Sequence, residues 1–347
     1  MSGKPLRIGM IGLGRAARAH LAACDRFPES LCLTAVCDIN EALARSTAQR
    51  HRVQAVYSDA FRLIDEGPID AVDICTPQCV HAAIAVAAAR AGKHVLVEKP
   101  MACSLDDCLA MVRAAEEAGV VLMVAQNQRY RPQWRAVRDA CAAGVIGTVR
   151  GIDVCATLNI FQGAAPGHWV YDARSAGGGV MMSFAAGVLD LVRYLVGDIV
   201  RVSAVVRTAD LRFVGAEDWA AVNLEIAGGA VGQLLVAFSA APSPWRDNVV
   251  IFGDAGTICA AAPPSGRLEP LIALAQEGGE FRPLRAACPD LPGEDMFANQ
   301  ILHFAQCCRE GRQPLSSGRD NLLTMQAIFA AYKSAATGSA VEVNSPL

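Results

Sequence analysis

Apolar residues in the first third of the chain form short continuous runs, and longer alanine-rich or polar stretches separate them. The runs predict strands at Leu6–Ile11, Leu31–Cys37, Ala55–Tyr57, Ala71–Cys75, His94–Glu98 and Val120–Ala125. The stretches between them predict helices at Arg18–Ala23, Glu41–Arg50, Cys79–Ala91 and from the capping Ser104 to Ala118. Strands that alternate with such helices form a parallel sheet through right-handed crossovers. This part is predicted to be a doubly wound α/β domain.

The pattern changes after Gln126. Apolar and polar residues alternate with period two in Ala221–Ile226, and Gly228-Gly229 predicts a hairpin turn into Ala230–Ser239. Further strands are predicted at Val200–Arg207, Val249–Phe252 and Thr257–Ala260, a loop or irregular edge at Ala262–Pro292, and helices at Gln133–Ala143, Asp295–Glu310 and Asn321–Thr337. These elements predict a mostly antiparallel sheet in an α+β domain. We therefore expect two domains, residues 1–126 and 127–347.

Composition restricts the partners. The chain has 347 residues, enough for two domains, and its net charge of −3 leaves no basic face for nucleic acid. No apolar stretch approaches the roughly 18 residues of a membrane span, and the first strand begins too early for a signal peptide. The 13 cysteines show neither metal-site nor disulfide spacing. We expect a cytoplasmic protein without membrane, nucleic-acid or metal partners.

A glycine-rich turn follows the first strand. The residues Gly12-Leu13-Gly14-Arg15-Ala16-Ala17 fit G-x-G-x-x-A, in which the glycines let the backbone approach a pyrophosphate at a helix N-terminus. Asp38 ends the second strand, where a carboxylate binds the adenosine ribose and repels a 2′-phosphate. We therefore expect NAD as the cofactor, without excluding NADP. The alternative for Asp38 is to cap the helix that begins near Glu41.

Two more strands end in residues suited to ligand binding. Thr76-Pro77 ends the fourth strand, with His81 five residues beyond Thr76, and Glu98-Lys99-Pro100 ends the fifth. Ligands bind at the carboxyl edge of such sheets. Because desolvation at this edge disfavours a lysine's charge, Lys99 is expected to face the substrate. The alternatives are a turn at Thr76-Pro77, a helix-surface position for His81 and a surface position for Lys99.

Taken in order, these motifs resemble the glucose–fructose oxidoreductase / inositol dehydrogenase / rhizopine-catabolism (Gfo/Idh/MocA) family over essentially the whole chain. The matching residues are Gly12-Leu13-Gly14-Arg15, Thr76-Pro77 with His81, Ala91-Gly92-Lys93-His94, Glu98-Lys99-Pro100, Asn127 with Arg129-Tyr130, Gly177-Gly178-Gly179 and Gly311-Arg312-Gln313-Pro314. The resemblance implies a Rossmann domain followed by a domain with an open sheet, whose exposed face makes a dimer or tetramer interface. It also implies reversible hydride transfer between a nicotinamide and a sugar, cyclitol or related polyol. In such proteins the lysine corresponding to Lys99 bonds the reacting hydroxyl and helps to move its proton.

The chain departs from the family pattern after the glycine triplet. The family usually has an aspartate and, four residues later, a histidine that acts as general acid and base, whereas Ser183 and Gly187 stand at those positions here. Lys99 then handles the proton alone, or another residue substitutes, or the protein binds its ligands without turnover as a sensor or partner subunit. A further alternative is an epimerase or lyase that uses NAD transiently.

Several residues are candidates for the substitution and for substrate binding. His168, Tyr171 and Asp172 precede the triplet and could reach the pocket, and Asp190 lies on the helical face of Ser183. We take His168 as the second catalytic candidate, with a packed or surface position as its alternative, whereas Asp190 is more readily a buried structural carboxylate. The candidate substrate contacts are Asn127, Arg129, Tyr130, Asp172 and Ser183. For Asn127, Arg129 and Tyr130 the alternative is simple packing. Arg15 and Glu98 complete the predicted cofactor-binding set.

Overall fold

The computed structural model describes residues 4–160, 165, 167–240, 247–262, 272–274, 279, 281–284, 291 and 293–343. The chain divides into two compact units. Unit 1 comprises Met1–Tyr130 with Gly293–Leu322, and unit 2 comprises Arg131–Pro292 with Leu323–Leu347. Sequence analysis places residues 293–322 in the second domain, whereas their contacts group them with the first. A segment so distant in sequence gives no local signal of the strands against which it packs.

Unit 1 contains, in its described part, a six-stranded parallel sheet of order β3-β2-β1-β4-β5-β6. Its strands are β1 Leu6–Ile11, β2 Leu31–Cys37, β3 Ala55–Tyr57, β4 Ala71–Ile74, β5 His94–Val97 and β6 Leu122–Val124. Its helices are α1 Ala17–Arg26, α2 Glu41–His51, α3 Ala60–Glu66, α4 His81–Arg90, α5 Leu105–Ala118 and, near the C-terminus, α9 Met296–Glu310. Short 3₁₀ turns occur at Gln78–Val80 and Asn127–Tyr130. The predicted Rossmann-type sheet is confirmed.

Local sequence explains the ends of these elements. Ser104 caps α5 by accepting the Asp107 N–H at 3.1 Å, and Gly119 ends the helix with a φ of 65°. α9 belongs to unit 1 because Ile301 and Phe304, both fully buried, pack into a core cluster with Leu6 and Ile8 of β1. The C-terminal segment therefore completes the core of the nucleotide-binding unit.

Unit 2 contains, among its described residues, a nine-stranded mixed sheet of order β14-β13-β12-β11-β7-β10-β9-β8-β15. Its strands are β7 Val149–Thr157, β8 Ile199–Arg207, β9 Trp219–Ile226, β10 Val231–Ala237, β11 Asp247–Gly253, β12 Thr257–Ala262, β13 Ile272–Leu274, β14 Phe281–Pro283 and β15 Val341–Glu342. Its helices are α6 Pro132–Ala142, α7 Ala173–Ala176 and α8 Ala186–Val196, with a 3₁₀ turn at Trp169–Tyr171 and a π-helical turn at Met181–Ala185. The division between units falls within α10, Gly318–Thr337.

Period-two alternation holds along β9, where every second residue from Ala220 to Ile226 is buried. Gly228 and Gly229, with φ of 89° and 90°, turn the chain into β10, which confirms the predicted hairpin. Neighbouring strands are antiparallel except β7 and β10, which are parallel. The prediction of a mostly antiparallel sheet is confirmed.

Three parts of the local structure differ from the sequence-based expectation. Sequence analysis missed α3, although Asp59 caps it by accepting the Phe61 N–H at 2.7 Å. It also missed β7, which lies between β10 and β11. Most of the stretch predicted as a loop or irregular edge, Ala262–Pro292, lies outside the described residues. Its described parts include strands β13 and β14, and β14 stands at the end of the sheet order.

Among the described residues, one helical stretch, Ala173–Val196, is long and apolar enough to cross a membrane by length and composition. Sequence analysis expected no such stretch. Its most apolar 18-residue window is 72% buried inside the protein, and Asp190 within it is completely buried. This degree of burial is typical of a core helix.

Candidate functional site

The glycine turn after β1 makes close backbone contact with the end of β4. Gly12 has a φ of 84°, and a Cβ atom there would lie 2.8 Å from the carbonyl group of Cys75 and the nitrogen of Thr76. Among the described residues, no heavy atom lies within 4 Å of the corresponding position on Gly14, which is exposed. Gly12 therefore makes the tight turn possible, whereas Gly14 leaves open the space through which a pyrophosphate would approach.

The N-terminus of α1 suits an anion. The helix begins at Ala17, which is completely buried against the sheet, and its cap residue Ala16 has no side-chain acceptor. The first turn carries no acidic residue. The first N–H groups of the helix and its positive dipole end are therefore available for phosphate oxygens. Arg15, in the same turn, is exposed.

Asp38 joins the end of β2 to the glycine turn. Its Oδ2 accepts the Leu13 N–H at 2.8 Å, and its Oδ1 accepts the Asn40 N–H at 2.9 Å. The cap of α2 is Asn40, whose side chain accepts the Leu43 N–H at 3.1 Å. Asp38 is thus not the cap residue. Each of its oxygens keeps a second lone pair that can accept a ribose hydroxyl.

Thr76 and His81 lie at the end of β4. The Thr76 hydroxyl oxygen is buried and has no hydrogen-bond partner in the described part of the chain. The His81 ring, 1% exposed, places Nε2 2.9 Å from the Thr76 carbonyl oxygen and Nδ1 3.1 Å from that of Pro100. Burial lowers the pKa of His81 below its ordinary value. The two ring nitrogens of His81 thus contact two backbone carbonyls of unit 1, and the contact of His81 with the cofactor stays a prediction.

Lys99 follows β5 at the same carboxyl edge of the sheet. It is half-buried, and its peptide bond to Pro100 is cis. Glu98 holds the chain here: its N–H donates to the Ile74 carbonyl of β4 at 2.8 Å, and its Oε2 accepts the Lys99 N–H at 3.0 Å. The other oxygen, Oε1, lies 3.3 Å from Nε2 of the buried His20. The Glu98 carboxylate is therefore held by groups of unit 1, and the contact of Glu98 with the cofactor stays a prediction.

In the 3₁₀ turn after β6, Asn127–Tyr130, two of the predicted substrate contacts are buried within unit 1. Arg129, 4% exposed, pairs with Asp320 at 2.6 Å and donates to the Leu315 carbonyl at 2.8 Å. The buried Tyr130 hydroxyl lies 3.2 Å from the Ser316 hydroxyl. These contacts within unit 1 support packing rather than substrate binding for both residues, whereas Asn127 is half-buried.

In unit 2 the glycine triplet has a packing function. Gly177 ends α7 with a φ of 66°, a Cβ atom on Gly178 would overlap the Tyr332 hydroxyl, and one on Gly179 would overlap the backbone of Glu217. Sequence analysis did not find Glu217 or Tyr332, because they are distant from the triplet in sequence. The close approach requires Gly178 and Gly179, and the left-handed backbone at the end of α7 favours Gly177.

Glu217 supplies the acceptor for the helix that follows the triplet. Its carboxylate, 6% exposed, accepts the Gly179 N–H at 3.1 Å, the Met181 N–H at 2.8 Å and the Tyr332 hydroxyl at 2.9 Å. Burial, and then the Glu217 charge, raise the pKa of Tyr332 well above its ordinary value. Glu217 thereby fixes the start of the turn that carries Ser183.

Ser183 lies in the π-helical turn, and Gly187 lies in the first turn of α8; both are half-buried. π-Helical turns occur frequently at functional sites. Asp190 is completely buried and accepts the Thr324 hydroxyl at 3.1 Å, and Arg193 donates to the same hydroxyl at 2.8 Å. These contacts support the structural interpretation of Asp190.

The residues before the triplet are more exposed. His168 is exposed, its Nδ1 accepts the Val170 N–H at 3.3 Å, and its ring lies 5.4 Å from that of Trp169. Asp172 caps α7 through the Arg174 N–H at 3.0 Å, and its hydrogen bonds to Arg174 lower its pKa below the ordinary value. Tyr171 is buried against Phe213 with ring centroids 5.2 Å apart. Of these three, His168 offers the most accessible titratable group.

Comparison with known proteins agrees with this architecture. The model of the oxidoreductase family with an NAD-binding Rossmann fold matches residues 6–126, and that of the GFO/IDH/MocA C-terminal domain matches residues 134–259. D-apiose dehydrogenase of Paraburkholderia graminis is 30% identical over 99% of this chain and 91% of the relative. The chain belongs to the Gfo/Idh/MocA family. The resemblance read from its motifs is thus confirmed.

Other members of the Gfo/Idh/MocA family match over a similar length. Myo-inositol 2-dehydrogenase of Thermotoga maritima is 27% identical, over 95% of this chain and 96% of the relative. A solved levoglucosan dehydrogenase, in complex with NADH and L-sorbose, superposes with a TM-score of 0.90 at 27% identity, over 99% of this chain and all of that one. As a member of this family the protein is an oxidoreductase with an NAD-binding Rossmann domain.

One part of the unit 1 site was missed from the sequence. His20 of α1 and Asp73 of β4 are both buried, and His20 Nδ1 lies 2.8 Å from Asp73 Oδ2. The available signal was Asp73 itself, since an aspartate inside a continuous apolar strand is rarely buried without a partner. Its partner could not be identified, because His20 is 53 residues away.

Proposed function

We propose that this protein is a cytoplasmic NAD-dependent dehydrogenase that reversibly oxidises a CH–OH group of a sugar, cyclitol or related polyol. The observation that carries the proposal lies within unit 1. The glycine turn after β1, Asp38 after β2 and Lys99 after β5 all stand at the carboxyl edge of one parallel sheet. The names of the relatives support the substrate class, since they act on D-apiose, myo-inositol and levoglucosan.

The residues of this edge fit NAD. The space above Gly14 and the uncapped start of α1 suit a pyrophosphate, and the Thr76 hydroxyl can give or accept one more hydrogen bond. Asp38 would accept the ribose hydroxyls and repel a 2′-phosphate, and the neighbouring Ile39 and Asn40 supply no cation. These features favour NAD over NADP.

Lys99 is the proposed proton-handling residue. A bound nicotinamide supplies the carbon that accepts or donates the hydride. In the oxidation direction the Lys99 amine would accept the hydroxyl proton of the substrate, and in the reduction direction the ammonium would return a proton to the oxygen. Glu98 supports this function by holding the Lys99 main chain and by placing a carboxylate near its charge.

We propose that unit 2 supplies further substrate contacts through Ser183, Asp172 and His168. His168 is the second candidate for proton transfer, because its imidazole is exposed and a histidine suits proton transfer near neutral pH. The missing side chain at Gly187 leaves room for a bulkier or differently shaped substrate. A crystal structure with a bound polyol would contradict this last point if protein atoms filled that space.

We further propose a homo-oligomer formed through the open face of the unit 2 sheet. The strand register places Val205, Val231, Leu235 and Phe252 on one face, and these side chains are 53%, 60%, 40% and 45% exposed. Polar residues including Arg201, Glu225 and Gln233 share that face. Apolar side chains rimmed by polar ones are typical of an association surface.

The test is NADH fluorescence after mixing the protein with NAD⁺ and levoglucosan, myo-inositol or D-apiose. The proposal predicts net NADH formation with a sugar or polyol. Tight NADH binding without turnover of any compound in a broader sugar and polyol panel would favour the sensor or partner-subunit function. Product formation without net NADH would instead indicate an epimerase or lyase that uses the cofactor transiently.

A further inference from the structure

A chain of three ionisable side chains runs through the interior of unit 1 to the main chain of Lys99. His20 is completely buried and lies between two carboxylates, with Nδ1 2.8 Å from Asp73 Oδ2 and Nε2 3.3 Å from Glu98 Oε1. Asp73 is 1% and Glu98 13% exposed. The Phe297 ring covers the imidazole with a centroid distance of 5.9 Å. Water therefore has little access to any of these charges.

The geometry favours protons on both nitrogens of His20, although the Nε2 contact with Glu98 is an ion-pair distance of 3.3 Å and not a well-formed hydrogen bond. A neutral imidazole carries one N–H and could serve only one carboxylate, whereas the other nitrogen would face an oxygen lone pair. Burial opposes the charged ring, but Asp73 and Cys75 outweigh it, and the pKa of His20 lies well above its ordinary value. Burial likewise opposes the charge of Glu98, yet His20 and then Lys99 lower the pKa of that carboxyl.

Glu98 connects this ion cluster to Lys99. One of its oxygens faces His20, and the other accepts the Lys99 backbone N–H at 3.0 Å. Its own N–H donates to the Ile74 carbonyl, which anchors the segment to β4. A carboxylate held at both oxygens has little rotamer freedom, so the direction of the Lys99 main chain depends on the ion pair behind it.

We infer that His20 is a positioning residue for Lys99: with Asp73 it fixes the Glu98 carboxylate, and Glu98 fixes the main chain from which Lys99 reaches the substrate. The inference rests on the proposed function of Lys99. It extends the site inward to His20 and Asp73, two side chains that are almost completely buried. Misplacement of a catalytic group by about 1 Å can reduce a rate by roughly a hundredfold.

Two variants separate positioning from folding. His20→Gln removes the charge and leaves two buried carboxylates without a cation, which is expected to destabilise the fold. The double variant His20→Gln/Asp73→Asn removes one cation and one carboxylate together, so the buried net charge stays the same. This double variant keeps the test decisive if the single variant does not fold.

The first measurement is backbone amide hydrogen exchange by NMR on the full-length protein. In the double variant the Lys99 amide is expected to exchange at least about tenfold faster than in the wild type. The Lys93 amide, which donates to the Ala88 carbonyl at 2.9 Å, is the internal control and should not change. Equal exchange at Lys99 in both proteins would overturn the inference.

The second measurement reports the charge of His20 directly. The chain has six histidines, so nitrogen–proton correlation spectra of the ¹⁵N-labelled protein can be assigned by comparison with the His20 variants. The titratable groups around the ring are Asp73 of β4, Cys75 directly after β4, Glu98 after β5 and Cys24 of α1. Two protonated ring nitrogens are expected at pH 8. A neutral ring at that pH would contradict the proposed arrangement.

Kinetics distinguish a failure of this inference from a failure of the proposed function. With the panel polyol that is oxidised fastest, the double variant should lose about tenfold or more in kcat while its Kd for NADH changes less than about threefold. Full activity of the double variant beside an inactive Lys99→Met would overturn only the positioning function of His20. Turnover by Lys99→Met itself would overturn the proposed function.

Discussion

Asp38 accepts the backbone N–H of Leu13 at 2.8 Å, so the carboxylate that we propose to bind the ribose also holds the glycine turn that we propose to bind the pyrophosphate. The two halves of the dinucleotide site are therefore linked by one side chain. A change at Asp38 should alter both the affinity for NADH and the discrimination against NADPH.

For Asp38→Ala we expect the Kd for NADH to rise by about ten- to a hundredfold, as is usual when hydrogen bonds to a charged group are lost. Affinity for NADPH should fall less, because the repulsion of its 2′-phosphate is also removed. Calorimetric titration with both cofactors measures the ratio of the Kd for NADH to the Kd for NADPH. The control is Asn40→Ala, which removes the cap of α2 and should cost about 1 kcal/mol of stability with the NADH affinity unchanged. An equal loss for both cofactors would contradict the ribose assignment.

Replacement by alanine should have different effects at Gly14 and at Gly179: the first should weaken NADH binding and the second should destabilise the fold. At Gly14 no atom lies within 4 Å of the added Cβ, so Gly14→Ala should unfold at nearly the wild-type temperature. Its Kd for NADH should still rise by roughly tenfold or more, because the methyl group occupies the approach of the pyrophosphate. Thermal unfolding and fluorescence titration test both parts. Unchanged NADH binding would contradict the assignment of the turn.

Gly179→Ala should destabilise unit 2, because the new Cβ would overlap the backbone of Glu217, which cannot move as a flexible side chain can. A loss of about 2 kcal/mol or more in the free energy of unfolding is expected, and urea denaturation measures it. Wild-type stability would show that Glu217 is not held against the triplet as described.

The stability of the protein should depend on pH through Glu98 and His20. The pKa of Glu98 lies below its ordinary value of 4.5, so its contribution is present above about pH 4.5 and is lost as the pH falls through the folded value. The pKa of His20 lies above 6.5, so its contribution is complete below about pH 6.5 and is lost as the pH rises toward the folded value. Urea unfolding should show that the wild type has a lower free energy of unfolding at pH 8.5 than at pH 5.5. This decrease should be smaller in His20→Gln/Asp73→Asn. Equal pH dependence in both would contradict the charged state of His20.

The proposed oligomer is tested at the open sheet face. Val231→Asp and Leu235→Lys place charges among exposed apolar side chains and should reduce the molar mass measured by light scattering after gel filtration. Leu211→Lys is the matched control, because Leu211 is 95% exposed but lies in the loop between β8 and β9. If Leu211→Lys dissociates the oligomer and the sheet variants do not, the interface lies elsewhere.

How much of the molecule could be predicted depends on how local its determinants are. The glycine turn, the parallel strands and the Gly228-Gly229 hairpin follow from short patterns, and the structure contains all three. β7 was missed although Ile152, Val154 and Ala156 are buried in alternation, because so short a run beside Gly151 is a weak local signal; its pairing with β10 and β11 makes it a strand.

The candidate site shows the same limit. The positions of Asp38 and Lys99 follow from strand ends, which the sequence marks clearly. The interior contacts of Glu98 with His20 and of the glycine triplet with Glu217 do not, because each joins residues tens of positions apart. A pattern of apolar residues specifies which face of an element is buried, but not which buried polar groups will meet there.

The most direct test of the account is the effect of Lys99→Met on turnover. Lys93→Met is the matched control, because Lys93 precedes β5 at the opposite end of the strand, where its ammonium donates to the Ile69 carbonyl at 3.0 Å. We predict that Lys99→Met binds NADH with nearly the wild-type Kd but loses at least about a hundredfold in kcat on the best polyol, whereas Lys93→Met keeps its activity. Turnover by Lys99→Met at the wild-type rate would contradict the claim that Lys99 handles the proton.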